Sequence, residues 1–308
     1  MVHRQVKKEP EIPESAFPVI CGALKVEPDE LENITVMKKG MTNHSFLFSC
    51  RGQRYILRIP GEGTDRLVSR RQEAAVYQGI FGRHISDDVV YINPENGYKI
   101  TRFLEGARVC SPMDKDDVRK CMEFLSSFHR MGISAGHEFD IFRQIEYYES
   151  LREPAPSVYP DYLETKEKVL SLKAYIDAQA PEKVLAHMDA VPDNFLFITV
   201  NGREEIRLID WEYAGMQDPH ADIAMFCIYA MYDRRHADML IADYFQEGCS
   251  KKTRYKIYCY IAACGLLWSN WCEYKKMLGA EFGEYAARQY LYAKEYSREA
   301  LRWMACED

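Results

Sequence analysis

Residues 184–213 read VLAHMDAVPDNFLFITVNGREEIRLIDWEY, and the fold follows from how that stretch must turn back on itself. Residues 195–200 and 206–209 are apolar, β-branched runs, and Asn201-Gly202 between them suits the positive φ values of a tight hairpin turn. The predicted hairpin returns Asp210 to the neighbourhood of Asn194. Ahead of it, His187, Asp189 and Asn194 stand in the order H-x-D-x-x-x-x-N. Two oxygen donors, Asn194 and Asp210, then converge where a divalent cation fits, with Asp189 free to face a hydroxyl group.

Phosphoryl transfer asks for that set of parts. Mg2+ takes hard oxygen ligands and keeps several waters, so a carboxylate, an amide and the phosphates of a nucleotide are enough to hold it. Asp189 would accept or aim the hydroxyl proton of an acceptor while the charge on the phosphates is neutralised. A bare H-x-D also fits a turn cap, but a cap has no use for the hairpin and second aspartate behind it. These residues resemble the catalytic loop and metal-binding aspartate of the protein-kinase-like superfamily, in the form used by aminoglycoside phosphotransferases and choline kinases.

The resemblance implies an α+β, two-lobed fold: a small antiparallel β-sheet lobe with one helix, then a larger, mostly α-helical lobe. Residues 1–17 are expected to be a flexible extension, 18–104 the nucleotide-binding lobe, and 105–308 the helical lobe with the catalytic loop and acceptor pocket. ATP is the implied co-substrate and Mg2+ the cofactor, held by Asn194 and Asp210. His187 and Asp222 take structural parts, Asp222 bracing the catalytic loop from behind through backbone amides.

Composition agrees with such a protein. At 308 residues the chain is long enough for two lobes, and 47% hydrophobic residues supply their cores. A net charge of -7, with no face rich in Lys and Arg, argues against a nucleic-acid partner and suits a small cationic substrate. Ten cysteines are scattered without a C-x-x-C pair, which reads as reduced, buried thiols. The polar start and the interruption of the most apolar run by Ser269 and Asn270 speak against membrane insertion. A cytoplasmic enzyme is expected.

Along the first third, residues 39–45 (KGMTNHS) form a small-residue turn before a strand, the place of a phosphate loop, with Asn43 and Ser45 as nucleotide contacts. Residues 54–59 alternate as a half-buried strand. Arg58 stands where protein kinases carry a phosphate-contacting lysine and choline kinases an arginine. A helix over residues 67–81 offers Glu73 as its ion-pair partner. Two further strands surround residues 94–97, and the resemblance assigns adenine to backbone groups of Arg102, Phe103 and Leu104. A helix follows from the Ser111-Pro112-Asp114 start to a stop at Gly132, and others over residues 140–152 and 162–178. His129 reads as a packing residue.

The last third is helical and aromatic. Trp268 and Trp271 are three apart, neighbours on one helical face, and aromatic faces attract a quaternary ammonium. Here the chain resembles choline kinases of the bacterial, LicA-like branch, whose choline box corresponds to Trp268, Trp271, Phe282 and Tyr285, with Asp189 at the acceptor hydroxyl. Glu212 is assigned to the same acceptor site, although the sequence leaves open whether it faces the metal or the pocket. Val191 and Ile228 depart from the animal enzymes, which carry glutamine and glutamate there. Choline kinase is therefore the expected activity. Ethanolamine, an aminoglycoside or a non-catalytic nucleotide-binding role are the alternatives.

Overall fold

The computed structural model describes residues 12–37, 43–179 and 182–307, so residues 39–42 of the expected phosphate loop lie outside the described residues. The chain forms two compact units, Met1–Ala74 with Asp87–Glu105, and Ala75–Ser86 with Gly106–Asp308.

In the first unit, helix α1 (Ala16–Leu24) begins inside the stretch expected as an extension, because Ala16 and Ile20 present a fully buried apolar face. Strands β1 (Leu31–Val36), β2 (Asn43–Cys50) and β3 (Gln53–Pro60) follow, then α2 (Arg70–Ile80), whose first turn belongs to this unit, and strands β4 (Val89–Ile92) and β5 (Lys99–Arg102). The helix expected over residues 67–81 starts at Arg70, since the Ser69 hydroxyl accepts from the Gln72 amide at 3.4 Å and caps the first turn there. All pairings are antiparallel, in the order β1-β2-β3-β5-β4.

Register sorts this sheet into two faces, because directly paired residues point the same way. Phe46, Leu57 and Ile100 align across β2, β3 and β5 and are buried with Ala16 and Ile20 of α1. Ser45, Arg58 and Lys99 align in the next row and carry the polar chemistry.

The second unit contains β6 (Arg108–Val109), α3 (Lys115–His129), α4 (Ile141–Ser150), α5 (Tyr162–Ala178), β7 (Val184–Ala186), β8 (Phe195–Val200), β9 (Arg203–Leu208), β10 (Gly215–Gln217), α6 (His220–Tyr229), α7 (Arg234–Phe245), α8 (Lys251–Met277) and α9 (Glu284–Glu307). Asp114 and Asp140 cap α3 and α4 by accepting two backbone amides each. The expected hairpin is β8 and β9, with Asn201 and Gly202 at φ 50° and 76°. Its second strand starts at Arg203, earlier than hydrophobicity indicates, because Arg203, Glu204 and Glu205 pair with Val200, Thr199 and Ile198.

Helices α8 and α9, of 27 and 24 residues, pack closely on each other. At Gly265 a Cβ would come within 2.7 Å of the Gln289 carbonyl oxygen and 2.8 Å of the Tyr292 Cβ. Glycine there lets the two backbones lie directly on each other, one turn before the tryptophans. No helix among the described residues is long and apolar enough to cross a membrane. The ten cysteines are free thiols, seven of them buried.

Candidate active site

The hairpin does return Asp210 to Asn194: the Ile209 amide donates to the Asn194 carbonyl at 3.0 Å. Asp189 lies between two residues in left-handed conformation, Met188 at φ 60° just before it and Asp210 at φ 69° beyond the hairpin. Such backbone costs a non-glycine residue about 1–2 kcal/mol and needs support. Asp222, fully buried on α6, provides it by accepting the His187 amide at 2.8 Å and the Met188 amide at 2.7 Å. His129 in turn holds Asp222 through Nε2 at 2.9 Å, while its Nδ1 meets the Tyr244 hydroxyl at 2.9 Å. His187 Nε2 meets the Ile209 carbonyl at 3.0 Å and its Nδ1 accepts the Asp189 amide at 3.2 Å. One ring thus ties the loop to the end of the hairpin, and the buried Trp211 packs edge-on against it at 4.6 Å.

Asn194 and Asp189 of this loop are joined through their side chains. Asn194 Nδ2 donates to the Asp189 carbonyl at 2.9 Å and to the Asp189 carboxylate at 3.1 Å, which turns the amide oxygen the other way. Oxygens of Asp210 and Glu212 come within 4.8 Å of each other. Burial raises the pKa of Asp189 well above the usual carboxylate range and the Glu212 charge raises it further, while the bond from Asn194 acts the other way.

Glu212 has a carboxylate oxygen within 4.8 Å of one of Asp210. It is buried, lies beside Asp210, and its charge is felt by the phenols of Tyr148 and Tyr213. Those two rings belong to an aromatic group. Tyr213 packs edge-on against Trp268 at 5.4 Å, and Tyr148 stacks on Trp268 at 6.5 Å. Trp268 and Trp271 stack at 6.3 Å, Phe282 tilts onto Trp271 at 5.3 Å, and the Trp271 indole N–H donates to the Tyr213 hydroxyl at 3.2 Å. The Tyr285 ring meets that of Tyr229 edge-on at 5.9 Å, and its amide donates to the Phe282 carbonyl at 3.1 Å. Tyr148 and Tyr213 were not singled out from the sequence. The WEY run after Asp210 was the available signal for Tyr213.

In the first unit, Arg58 forms its expected ion pair with Glu73. Two unforeseen cations join it: Lys99 at 3.0 Å and Arg70 at 3.1 Å from the same carboxylate. Glu73 is 1% exposed and Arg58, Arg70 and Lys99 are 8%, 8% and 4% exposed, so the cluster is dry. Burial alone would raise the pKa of Glu73, but Arg58, Lys99 and Arg70 together lower it to about 2. Gly97, at φ 72°, makes room for this cluster, since a Cβ there would sit 2.5 Å from the Arg70 side chain. Ser45 is the register partner of Arg58, and Asn43 lies near the end of the same pairing, opposite Pro60. Of the proposed adenine-contacting residues, Arg102 and Phe103 have their amides committed to the Asp88 and Arg54 carbonyls at 2.9 and 3.0 Å. Phe103 and Leu104 both lie past the end of β5.

Comparison with known proteins accords with this arrangement. Protein LicA of Haemophilus influenzae is 26% identical over 266 residues, covering 81% of this chain and 76% of that protein. The crystal structure of choline kinase LicA from Streptococcus pneumoniae superposes with a TM-score of 0.79 at 26% identity, over 93% of this chain and 99% of that one. A structure of LicA in complex with AMP gives a TM-score of 0.78 at 25% identity, over 94% and 100%. The protein-kinase-like fold expected from the catalytic loop is thus present. The sequence pattern of the Phosphotransferase enzyme family matches residues 33–258, from within β1 to the first turns of α8, and the chain belongs to that family.

Proposed function

We propose that this protein is an ATP-dependent choline kinase, transferring the γ-phosphoryl group of ATP to the choline hydroxyl to give phosphocholine and ADP. The observation that carries the acceptor is the stacked pair Trp268 and Trp271, with Tyr213 and Tyr148 against it and Glu212 beside them. A trimethylammonium group has no N–H to donate, so aromatic faces and a nearby carboxylate are the means of holding it. The LicA relatives, one of them titled a choline kinase, support the same acceptor.

Asp189 accepts the hydroxyl proton as the acceptor oxygen bonds to the γ-phosphorus and the bond to the bridging oxygen of ADP breaks. Arg58, held by Glu73, meets the phosphates, with Asn43 and Ser45 near it and Arg102, Phe103 and Leu104 at the adenine. Asn194, Asp210 and Glu212 offer hard oxygens of the type Mg2+ takes, and Asn194 and Asp210 are the residues that would hold it. The ion would supply neutralisation of phosphate charge. Such an enzyme draws ATP from the cytoplasm, where its buried thiols stay reduced.

ATP consumption against choline, ethanolamine and kanamycin, with and without Mg2+, tests the reading. Choline is expected to be the best acceptor and Mg2+ to be required; preference for either other acceptor would overturn it. Trp268→Ala or Trp271→Ala should raise the KM for choline by up to about thirtyfold, each aromatic face being worth roughly 0.5–2 kcal/mol. Tyr285→Ala should do so more weakly, and the KM for ATP should stay nearly constant in all three. Equal losses for both substrates would reduce the rings to packing.

The pH profile carries a further expectation. A base must be ionised, and Asp189 has a raised pKa, so kcat/KM should fall as pH drops through a value above the ordinary carboxylate range. Glu212→Gln removes a repelling charge, lowers the pKa of Asp189, and should move this acid limb to lower pH. A limb that stays in place or moves upward would refute the coupling.

A further inference from the structure

We infer that Lys256 is a positioning residue of the reaction: through Asp218 it fixes the start of α6, and with it the brace behind the catalytic loop. The inference rests on Asp189 as the base and is independent of which alcohol accepts the phosphoryl group. Asp218 precedes Pro219 at the head of α6 and is fully buried. Lys256, in the second turn of α8 and 6% exposed, sets its Nζ 2.7 Å from Asp218 Oδ2. The Tyr260 hydroxyl donates to the same oxygen at 3.2 Å. The other carboxylate oxygen accepts the His220 amide at 3.0 Å, and the Asp218 carbonyl accepts the Ala221 amide at 3.0 Å. Both bonds belong to the opening turn of the helix.

Asp222 stands one turn beyond Asp218 on the same side of α6 and is fully buried as well. Two carboxylates that close in a dry interior repel, so each needs its own partners. Asp222 has the His187 and Met188 amides and the His129 ring. Asp218 has Lys256, the one lysine or arginine paired with it among the described residues. His220 does not take that part, although its Nδ1 lies 3.2 Å from Asp218 Oδ1. Burial holds its pKa down to about 4, and the Lys256 charge adds to this against the pull of Asp218. Tyr244 joins the two ends of the arrangement, its hydroxyl 2.9 Å from His129 Nδ1 and its ring edge-on to His220 at 6.1 Å. Without Lys256 the Asp218 carboxylate is left buried and unmatched, and the opening turn of α6 must shift to reach water or a proton. Asp222 rides on that turn, and the left-handed Met188 and the aim of Asp189 ride on Asp222. Lys256 acts only through α6, so its loss falls on turnover and not on substrate binding.

The test is steady-state kinetics of the wild type, Lys256→Met, Asp218→Asn and the double variant, with the folded fraction read by circular dichroism. Methionine keeps most of the length of lysine and asparagine the shape of aspartate. The double variant therefore exchanges the ion pair for neutral groups of similar size, an exchange that buried pairs tolerate. Lys256→Met should lower kcat per folded molecule about tenfold to a hundredfold, the scale set by a misplaced reacting group. The KM values for ATP and for the acceptor should stay within about twofold of wild type. Asp218→Asn, which leaves a buried ammonium facing an amide, should lower kcat about tenfold. The double variant should return to within about twofold of wild type and turn over faster than either single variant. Wild-type turnover in Lys256→Met, a rise of both KM values in step with the fall in kcat, or a double variant no faster than the single ones would overturn the positioning role. If Lys256→Met does not fold, Asp218→Asn against the double variant decides the matter in the same terms. If the wild type prefers another acceptor, the choline reading falls, and the four proteins are compared on that acceptor with the same expected ratios.

Discussion

Asp189→Ala is expected to lose about 10²–10⁴-fold in kcat while still binding ATP, the range typical of removing a general base. The expectation follows from the effort the fold spends on that one carboxylate. A left-handed Met188 is fixed by Asp222, Asp222 is fixed by His129, and Asn194 contacts the carboxylate itself. Asp189→Asn is the finer variant, since it keeps the size of the side chain and removes only the base, and it should be nearly as slow. Asp210→Ala should differ in kind, losing productive Mg2+-nucleotide binding as well as turnover. Steady-state kinetics with ATP titration by calorimetry separates the two. Near-normal turnover in Asp189→Ala would end its assignment as the base.

Glu73→Ala should destabilise the first unit by about 3–5 kcal/mol, the cost of removing one partner from a buried ionic cluster. Three cations, Arg58, Arg70 and Lys99, would lose the carboxylate they share. Lys99 is already held below its ordinary pKa by burial and then by the charge of Arg58. The melting temperature should fall on the order of 10 °C, and the KM for ATP should rise as Arg58 loses its anchor. The sign of the pH effect follows from the same group. Glu73 has its pKa depressed from 4.5 to about 2, so its contribution is fully present above the unfolded value and disappears as pH falls from there toward 2. Wild-type stability should decline across that window, and Glu73→Gln should flatten the decline. A variant with unchanged melting temperature and ATP affinity would show the cluster to be incidental.

What could be seen before the structure was local. The Asn201-Gly202 turn, the starts of α3 and α4 and the span of α5 depend on neighbours a few residues away, and the sequence pattern locates them closely. Glu73 followed from helical spacing, and its pairing with Arg58 followed from the family resemblance. Lys99 did not, because its part in the cluster depends on register, whereas Arg70, three residues before Glu73 on α2, was a local neighbour not singled out. Lys99 reads as an ordinary polar position on a short strand until β5 pairs with β3 and sets it opposite Arg58. Tyr148, 120 residues of chain before Trp268, meets it only through tertiary packing of α4 on α8. Helix α1 escaped notice because its apolar face follows a polar, proline-containing start that reads as a tail.

Of the four tryptophans, Trp211 is fully buried behind the catalytic loop and Trp303 stacks on Tyr255. The other two are the stacked indoles proposed for the acceptor box, at 6.3 Å and 28° on a helix whose backbone lies against its neighbour at Gly265. Two indoles that close and that rigid share their excited states, and their emission and near-ultraviolet circular dichroism respond to a cation laid against them. Under the proposed function the enzyme would carry its own optical reporter, and choline would be followed onto the unlabelled protein by tryptophan emission, without turnover and without nucleotide.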